Sequence, residues 1–314
     1  MLISRAARQD RANPKNVAAK QQPAILAFPI CGFSDLRQGN HLFRQAGNPG
    51  FYWKESFSSD FCRGEFVWNN PRMIPRFYSP RPLTPGATLD LPEEAAHHAI
   101  RVLRMKEGDQ VRLFDGSGGQ WLCRILRLKP TAHVALESFE ETDCESPLAV
   151  TLVQSLPSGD KMDWVVQKCV ELGVAAIQPV AARRSVIRLS GEKAERRARH
   201  WQSVAVSASE QCGRSVVPPV ADLLDLPQYL GLPAADNELR LVLAPGAEVR
   251  LRDMPVPTGP VTVLIGPEGG FEESELPMAK SVGFVPVSLG PRILRTETAG
   301  PAVLSALMTL WGDA

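Results

Sequence analysis

The chain has 314 residues, 44% of them hydrophobic and 22% charged, with 35 Lys and Arg against 34 Asp and Glu. That length accommodates two or three domains with a sizeable core, and the balanced charge excludes a global basic field, so any nucleic-acid contact must be a local patch. The longest apolar runs, such as Ala24 to Ile30, fall far short of the ~18 residues of a membrane span, so none of them is expected to cross a bilayer.

Residues 1–72 carry ten Lys or Arg against five Asp or Glu, are rich in Gln, Asn, Ser and Gly, and sustain neither a period of 2 nor one of 3.6. They are expected to be a disordered extension or the product of a misplaced start, because Met73 opens a sharper pattern, "MIPRFYSPRPL". An Arg-rich, acid-poor beginning also admits a transit peptide. The six cysteines, Cys31, Cys62, Cys123, Cys144, Cys169 and Cys212, show no paired spacing and no accompanying His cluster. This speaks against a disulfide framework or a metal site and for reduced, cytosolic thiols.

From Met73 to about Glu145, short strands surround one helix: "RFYS", the helix "PEEAAHHAIRVLRM", then "DQVRLFD", "GQWLCRILRL" and "HVALESF". Glu93 and Glu94 in its first turn and Arg101, Arg104 and Lys106 in its last match the helix macrodipole. The glycines of "VRLFDGSGG" invite a dinucleotide-binding reading, but "QWLCRIL" continues as an alternating strand where that motif needs a helix. Asp115 to Gly119 is therefore predicted to be a hairpin turn. The polar "ETDCESP" serves as a linker, which divides the chain into an extension (1–72), a small β-rich domain (73–145) and a larger domain (146–314).

In the larger domain strands alternate with helices: "LAVTLVQSL", the helix "DKMDWVVQKCVELG", "AIQPVAA", a helix from about Glu192 to Cys212, "RLVLAP", "VTVLIG", a helix from Glu272 to about Val282, "PVSLG", and a last helix from about Thr298 to Trp311. Near-continuous apolar strands between amphipathic helices predict an α/β domain whose parallel sheet is covered on both faces. Pro301 is expected in the first turn of the last helix, where proline is tolerated, and Val303, Leu304, Leu307, Leu310 and Trp311 form a stripe that is either core or dimer surface.

Two strand ends are chemically unusual: Gly266-Pro267-Glu268-Gly269-Gly270, and Gly290-Pro291-Arg292 leading to Arg295-Thr296-Glu297. Ligands of open α/β sheets sit at the carboxyl ends of strands, and glycine lets backbone approach a ligand while proline stiffens the turn. No G-x-x-x-x-G-K-[ST] occurs, and Glu268 would repel a phosphate, so a neutral or cationic ligand held by main-chain groups fits better. Each loop alone could equally be a tight strand-to-helix turn; together they point to a backbone-lined site with two carboxylates and two arginines.

"LIGPEGGFEESEL" with "LGPRILRTETAGPAVLSAL" resembles the RsmE family of SPOUT-class methyltransferases, as do "GDKMDWVVQKCVELGV", "SEQCGRSVVP", "PRFY" and "HHAIRVLRM". The similarity covers Met73 to Trp311. It implies a PUA-like RNA-binding domain followed by a trefoil-knotted SPOUT methyltransferase domain that forms a homodimer, a cytoplasmic enzyme that methylates N3 of a uridine (position 1498) in 16S rRNA, preferably within an assembled 30S subunit. Base rates alone favour an unknotted sheet. S-adenosyl-L-methionine is the implied cofactor, with no metal, lying against Leu243, Ala244 and Pro245, against Ile265, Gly266, Pro267, Gly269 and Gly270, and against Leu289, Gly290, Ile293 and Leu294.

Uracil N3 must lose a proton, so Arg295 is expected to stabilise the developing anion, and Glu268 or Glu297 to help deprotonate N3 or to orient that arginine. Glu297 has an equal claim as an acid at a helix N-terminus. Expected RNA contacts are Arg76, Arg101, Arg104, Lys161 and Arg214. The alternatives are another SPOUT methyltransferase acting on a different rRNA or tRNA base, and a non-catalytic RNA-binding assembly factor.

Overall fold

The computed structural model describes residues 74–142 and 144–314; Cys31, Cys62 and the readings made for residues 1–72 lie outside the described residues. A first sheet comprises β1 (Arg76–Tyr78), β2 (Thr88–Asp90), β3 (Gln110–Phe114), β4 (Gln120–Arg127) and β5 (His133–Glu140), in the order β1-β3-β4-β5-β2. The turn from Asp115 to Gly119 is the predicted hairpin, since β3 and β4 pair antiparallel across it. Its aspartate explains the tightness: Asp115 Oδ1 accepts from the Ser117 N–H (3.0 Å) and hydroxyl (2.6 Å), and Oδ2 from the Leu83 N–H (2.8 Å).

The helix of this unit is shorter than its charge pattern suggested. It is α-helical only over α1 (Glu93–His97), then widens into a π turn, His98–Val102, and Arg104 adopts φ +53°. Ala95 and Ala99, four residues apart, both stay in the core; the Leu103 N–H closes the π turn on the His98 carbonyl and the Met105 N–H bonds the Ala99 carbonyl, each at 3.0 Å.

The second sheet is parallel throughout: β6 (Val150–Ser155), β7 (Ala176–Ala181), β8 (Leu224–Asp225), β9 (Leu239–Leu243), β10 (Val261–Ile265) and β11 (Val285–Val287), ordered β11-β9-β10-β6-β7-β8. Its helices are α2 (Lys161–Glu171), α3 (Glu192–Cys212), α4 (Leu226–Leu230), α5 (Glu275–Ser281) and α6 (Thr296–Trp311). The apolar runs divide by parity between two cores. Leu152, Leu241, Val263 and Ile265 face the side of α2, α3 and α6, whereas Val153, Val242 and Leu264 face the side of α4 and α5. A strand buried on both faces needs apolar residues at both parities, which is why these strands read as continuous rather than alternating.

α2 buries Met162, Val165, Val166, Cys169 and Val170, a helical stripe. α3 ends where Gly213 turns left-handed at φ +92°. β2, β8 and α4 had no counterpart in the sequence reading, although "DLPQ" carries a capping box between Asp225 and Gln228. α6 starts two residues earlier than expected, so Pro301 lies in its second turn, where it offers no N–H to the Glu297 carbonyl. Val303, Leu304 and Leu307 are core, while Leu310 is exposed.

The chain leaves β11 at one edge of the sheet and returns as α6 to pack on β6 and β10 in its middle. The long β9–β10 connection lies beside the exit from β11: the Ser288 N–H donates to the Val249 carbonyl (2.9 Å) and the Leu251 N–H to the Ser288 carbonyl (3.1 Å). This return past a preceding loop is the crossing on which a knotted path depends. Among the described residues no helix is long and apolar enough to cross a membrane.

Candidate active site

The carboxyl ends of β9, β10 and β11 open on one cavity of about 940 Å³. Leu243 to Pro245, Ile265 to Pro267 with Gly270, and Leu289, Gly290, Ile293 and Leu294 all line it. Gly269 does not; its carbonyl instead accepts from Arg184 Nη1 at 3.3 Å. Parity and turn chemistry build the walls. β10 is buried along its whole length up to Ile265, Pro267 breaks the strand, and the Gly270 N–H closes the turn onto the Pro267 carbonyl (2.9 Å). Gly270 does so at φ +69°, a conformation side chains resist.

One hydroxyl ties the two loops together. Thr296 Oγ1 donates to the Gly266 carbonyl (2.6 Å) and accepts from the amide of buried Gln154 (3.0 Å). The β10 loop, the start of α6 and β6 thus share one hydrogen-bonded knot of side chains behind the cavity.

The charged groups converge on Lys161, at the start of α2. Its Nζ lies 3.1 Å from Glu268 Oε1 and 3.2 Å from Glu297 Oε1, and the hydrogen bonds it donates to Glu268 and then Glu297 hold its ammonium above the ordinary lysine value. Burial pushes the Glu268 carboxyl up, but the Ser158 hydroxyl (2.6 Å), the Ser158 N–H (2.9 Å) and Lys161 outweigh it and hold the group below the usual carboxylate range. Glu297 is deeper, with a side chain 14% exposed; its Oε1 lies 3.9 Å from Arg295 Nη1, and its Oε2 is buried without a partner among the described residues. Arg295 is 81% exposed over the cavity mouth.

Two expected RNA contacts are spent inside the molecule. Arg214 is buried; it binds Glu145 Oε2 (2.6 and 2.8 Å) and the Val170 and Val174 carbonyls at the end of α2. Arg76 caps the last turn of α3 through the Ser209 and Glu210 carbonyls, reaches the Arg214 carbonyl, and stacks over Phe114. Neither guanidinium is free for a phosphate: Arg214 is taken up by a carboxylate and two carbonyls, and Arg76 by three carbonyls, the Gln120 amide oxygen and the Ser215 hydroxyl, all from distant segments. Lys161 belongs to the cavity rather than to an outer RNA face. Arg101 and Arg104 are exposed, flanking the solvent-facing Val102 and Leu103.

Arg214→Ala is expected to cost about 2–3 kcal/mol of stability, read by denaturant melts. Removing one partner of a buried pair costs about 3–5, discounted here because Glu145 is 27% exposed. An unmoved unfolding midpoint would contradict this structural role.

Sequence reasoning passed over Ser158, Gln154, Thr296 and Glu275, all of which shape the site through hydrogen bonds to residues far along the chain. Thr296 was visible inside "RTET", but its partner was not. Four carboxylates and four cations line the cavity, so its summed charge favours neither sign and recognition falls to individual groups. Apolar walls, main-chain-rich loops and a clamped carboxylate pair suit a neutral or cationic guest of nucleoside size. Among the described residues no cluster could hold a metal, and burial pushes the Cys123 thiol up to about 12 and those of Cys169 and Cys212 upward.

Two family models match the chain: an RNA methyltransferase domain over residues 144–308 and an RNA methyltransferase PUA domain over residues 91–136. A ribosomal RNA small subunit methyltransferase E from Buchnera aphidicola subsp. Schizaphis graminum is 32% identical over 247 residues, 77% of this chain and 98% of the relative. The Bacillus subtilis protein of that name is also 32% identical, over 70% of this chain and 89% of its own. In structure, a ribosomal RNA small subunit methyltransferase E from Neisseria gonorrhoeae bound to S-adenosyl methionine superposes with a TM-score of 0.73 at 42% identity, over 77% of this chain and 99% of the other.

Proposed function

The chain belongs to the ribosomal RNA small subunit methyltransferase E family, and from that premise we propose that it methylates N3 of a uridine, position 1498, in 16S rRNA of the small subunit, using S-adenosyl-L-methionine. The observation that carries this reading is the convergence of three strand ends on one cavity with Arg295 and Glu297 on its wall. About 940 Å³ stands near the top of the ~300–1,000 Å³ range of small-molecule sites, which leaves room for a base beside the methyl donor.

When bound, S-adenosylmethionine supplies a methyl group on a sulfonium and departs as the neutral thioether, its sulfur keeping the electron pair. Leu243 to Pro245, Ile265 to Pro267 with Gly270, and Leu289, Gly290, Ile293 and Leu294 would hold it, through apolar side chains and main-chain groups. The target N3 lies on the Watson–Crick edge, so the uridine enters unpaired. Glu297 Oε2, the buried oxygen without a partner, accepts the N3 proton. Arg295 stabilises the charge that spreads to the uracil carbonyl oxygens. Lys161 keeps Glu297 and Glu268 side by side, and Glu268, held ionised by Ser158, positions rather than abstracts.

We assign residues 73–145 to a PUA-like RNA-binding domain, with Arg101 and Arg104 as its candidate phosphate contacts, and 146–314 to the catalytic domain. The working form is a cytoplasmic homodimer acting on the assembled 30S subunit. Primer extension on 16S rRNA from cells lacking the gene tests the reading: one reverse-transcription stop at a uridine should disappear, and an unchanged pattern refutes it.

Lys161→Met should raise the Glu268 titration, read by carboxyl NMR, because Glu268 loses a partner that lowers its pKa. In the parent protein the depressed Glu268 group contributes stability in full above the ordinary carboxylate range, and this is lost as pH falls through its lowered value. A Glu268 titration that stays in place would show that Lys161 does not hold its carboxylate.

A further inference from the structure

Arg184 stands in the connection from β7 to α3 and lines the cavity. Three separate devices fix it there. The turn that carries it is closed by Ser185, whose N–H donates to the Ala182 carbonyl (3.0 Å) and whose hydroxyl accepts from the Ala182 N–H (3.1 Å). Glu275, only 2% exposed at the start of α5, accepts from the Arg183 N–H with one oxygen (2.8 Å) and from the Glu272 N–H with the other (2.7 Å). That carboxylate staples the Arg183–Arg184 turn to the β10 loop. Finally, a methyl group on Gly269 would meet the Arg184 Cβ at 3.2 Å, so the bare backbone there lets the arginine stem lie against the loop.

The effort is out of proportion to what the guanidinium does within the protein. Its one described hydrogen bond is Nη1 to the Gly269 carbonyl, at 3.3 Å, and among the described residues no carboxylate pairs with it. Neighbouring Arg183 pairs with Glu272 and Arg188 donates to the Arg183 carbonyl, so Arg184 alone of the three turns into the cavity. A forked cation held over a nucleoside-sized cavity, with most of its donors unspent, is built to receive an oxyanion.

We propose that Arg184 is an oxyanion-binding residue of this site and that Glu275 is the positioning residue that holds it there. The inference rests on the methyl-transfer reading, and the oxyanion is either the carboxylate of the methyl donor or a phosphodiester flanking the target base.

The test compares the full-length protein with Arg184→Ala, Arg184→Lys and Glu275→Gln. Donor affinity is measured by calorimetry with S-adenosylmethionine and with its decarboxylated analogue; kcat and KM are measured on 30S subunits across a salt series. If the ligand is the donor carboxylate, Arg184→Ala weakens S-adenosylmethionine about 10- to 100-fold and leaves the decarboxylated analogue unchanged. If it is a phosphodiester, donor affinity holds, KM for the subunit rises by a similar factor with kcat little changed, and the salt slope falls by about one.

In either case Arg184→Lys recovers part of the loss, and Glu275→Gln, which turns an N–H donor towards one of two N–H groups, reproduces it without adding to it in the double variant. Slow amide exchange at Arg183 in the parent protein checks the staple without any substitution; rapid exchange would overturn it. An active parent protein with an Arg184→Ala variant unchanged in every readout overturns this inference alone. A parent protein that neither binds the donor nor methylates overturns the functional reading, and this inference with it.

Discussion

Arg295→Ala is expected to lower kcat by about 100- to 1,000-fold, the cost of removing one preorganised donor from a developing anion, while the dissociation constant for S-adenosylmethionine stays within a few-fold. The structure separates the two quantities. The Arg295 side chain is 81% exposed at the cavity mouth, on the residue that precedes α6, so it packs against little that a bound donor would need. Its loss leaves the hydroxyl of Thr296 still joining the two loops. Folding should be nearly unaffected as well, since Arg295 is exposed and its one ion pair, with Glu297, is long at 3.9 Å, so truncation shifts stability by about 0.5 kcal/mol or less. Single-turnover methylation of 30S subunits, beside calorimetry, checks both halves. Turnover that survives the substitution would remove Arg295 from the chemistry.

Glu297→Gln is expected to reduce kcat by about 100- to 10,000-fold, and Glu268→Gln by much less. Both carboxylates touch Lys161, but they are held differently. Glu268 Oε1 takes three donors, two of them from Ser158, and a carboxylate held below its ordinary range is a weak base. Glu297 presents a buried oxygen with no described partner, near the N-terminus of α6. Glutamine keeps the shape of either side chain and removes its charge and basicity; since both variants lose an ion pair with Lys161, the difference between them distinguishes proton acceptor from positioning group. Equal losses, or a larger loss at Glu268, would reverse the assignment.

Much of this architecture was legible because its signals are local. Strands buried on both faces must be apolar at both parities, and β6, β9 and β10 read that way. The sparse loops announced themselves through Gly and Pro, residues whose backbone preferences act within a turn, and the Asp115 hairpin through its side chain bonding its own turn. The end of α1 was misjudged because charge at a helix terminus says nothing of core packing. After His97 the backbone switches to a π turn, His98–Val102, and Arg104 turns to a positive φ, neither of which terminal charge announces.

What only tertiary structure decided is which partner each charge finds. Arg214 meets Glu145 across 69 positions, Arg76 reaches the end of α3 across more than 130, and Glu275 takes the Arg183 N–H across 92. A basic residue looks the same in a sequence whether it will face a phosphate or a buried carboxylate, since its stem and charge are unchanged. The sequence by itself determined the longer strands, the Asp115 turn and the two loops, all governed by forces acting within a few residues, but not the two- and three-residue edge strands β8 and β2. Whether an arginine is spent inside or left open at the cavity mouth was settled by chain segments that folding alone brings within 3 Å or so of one another.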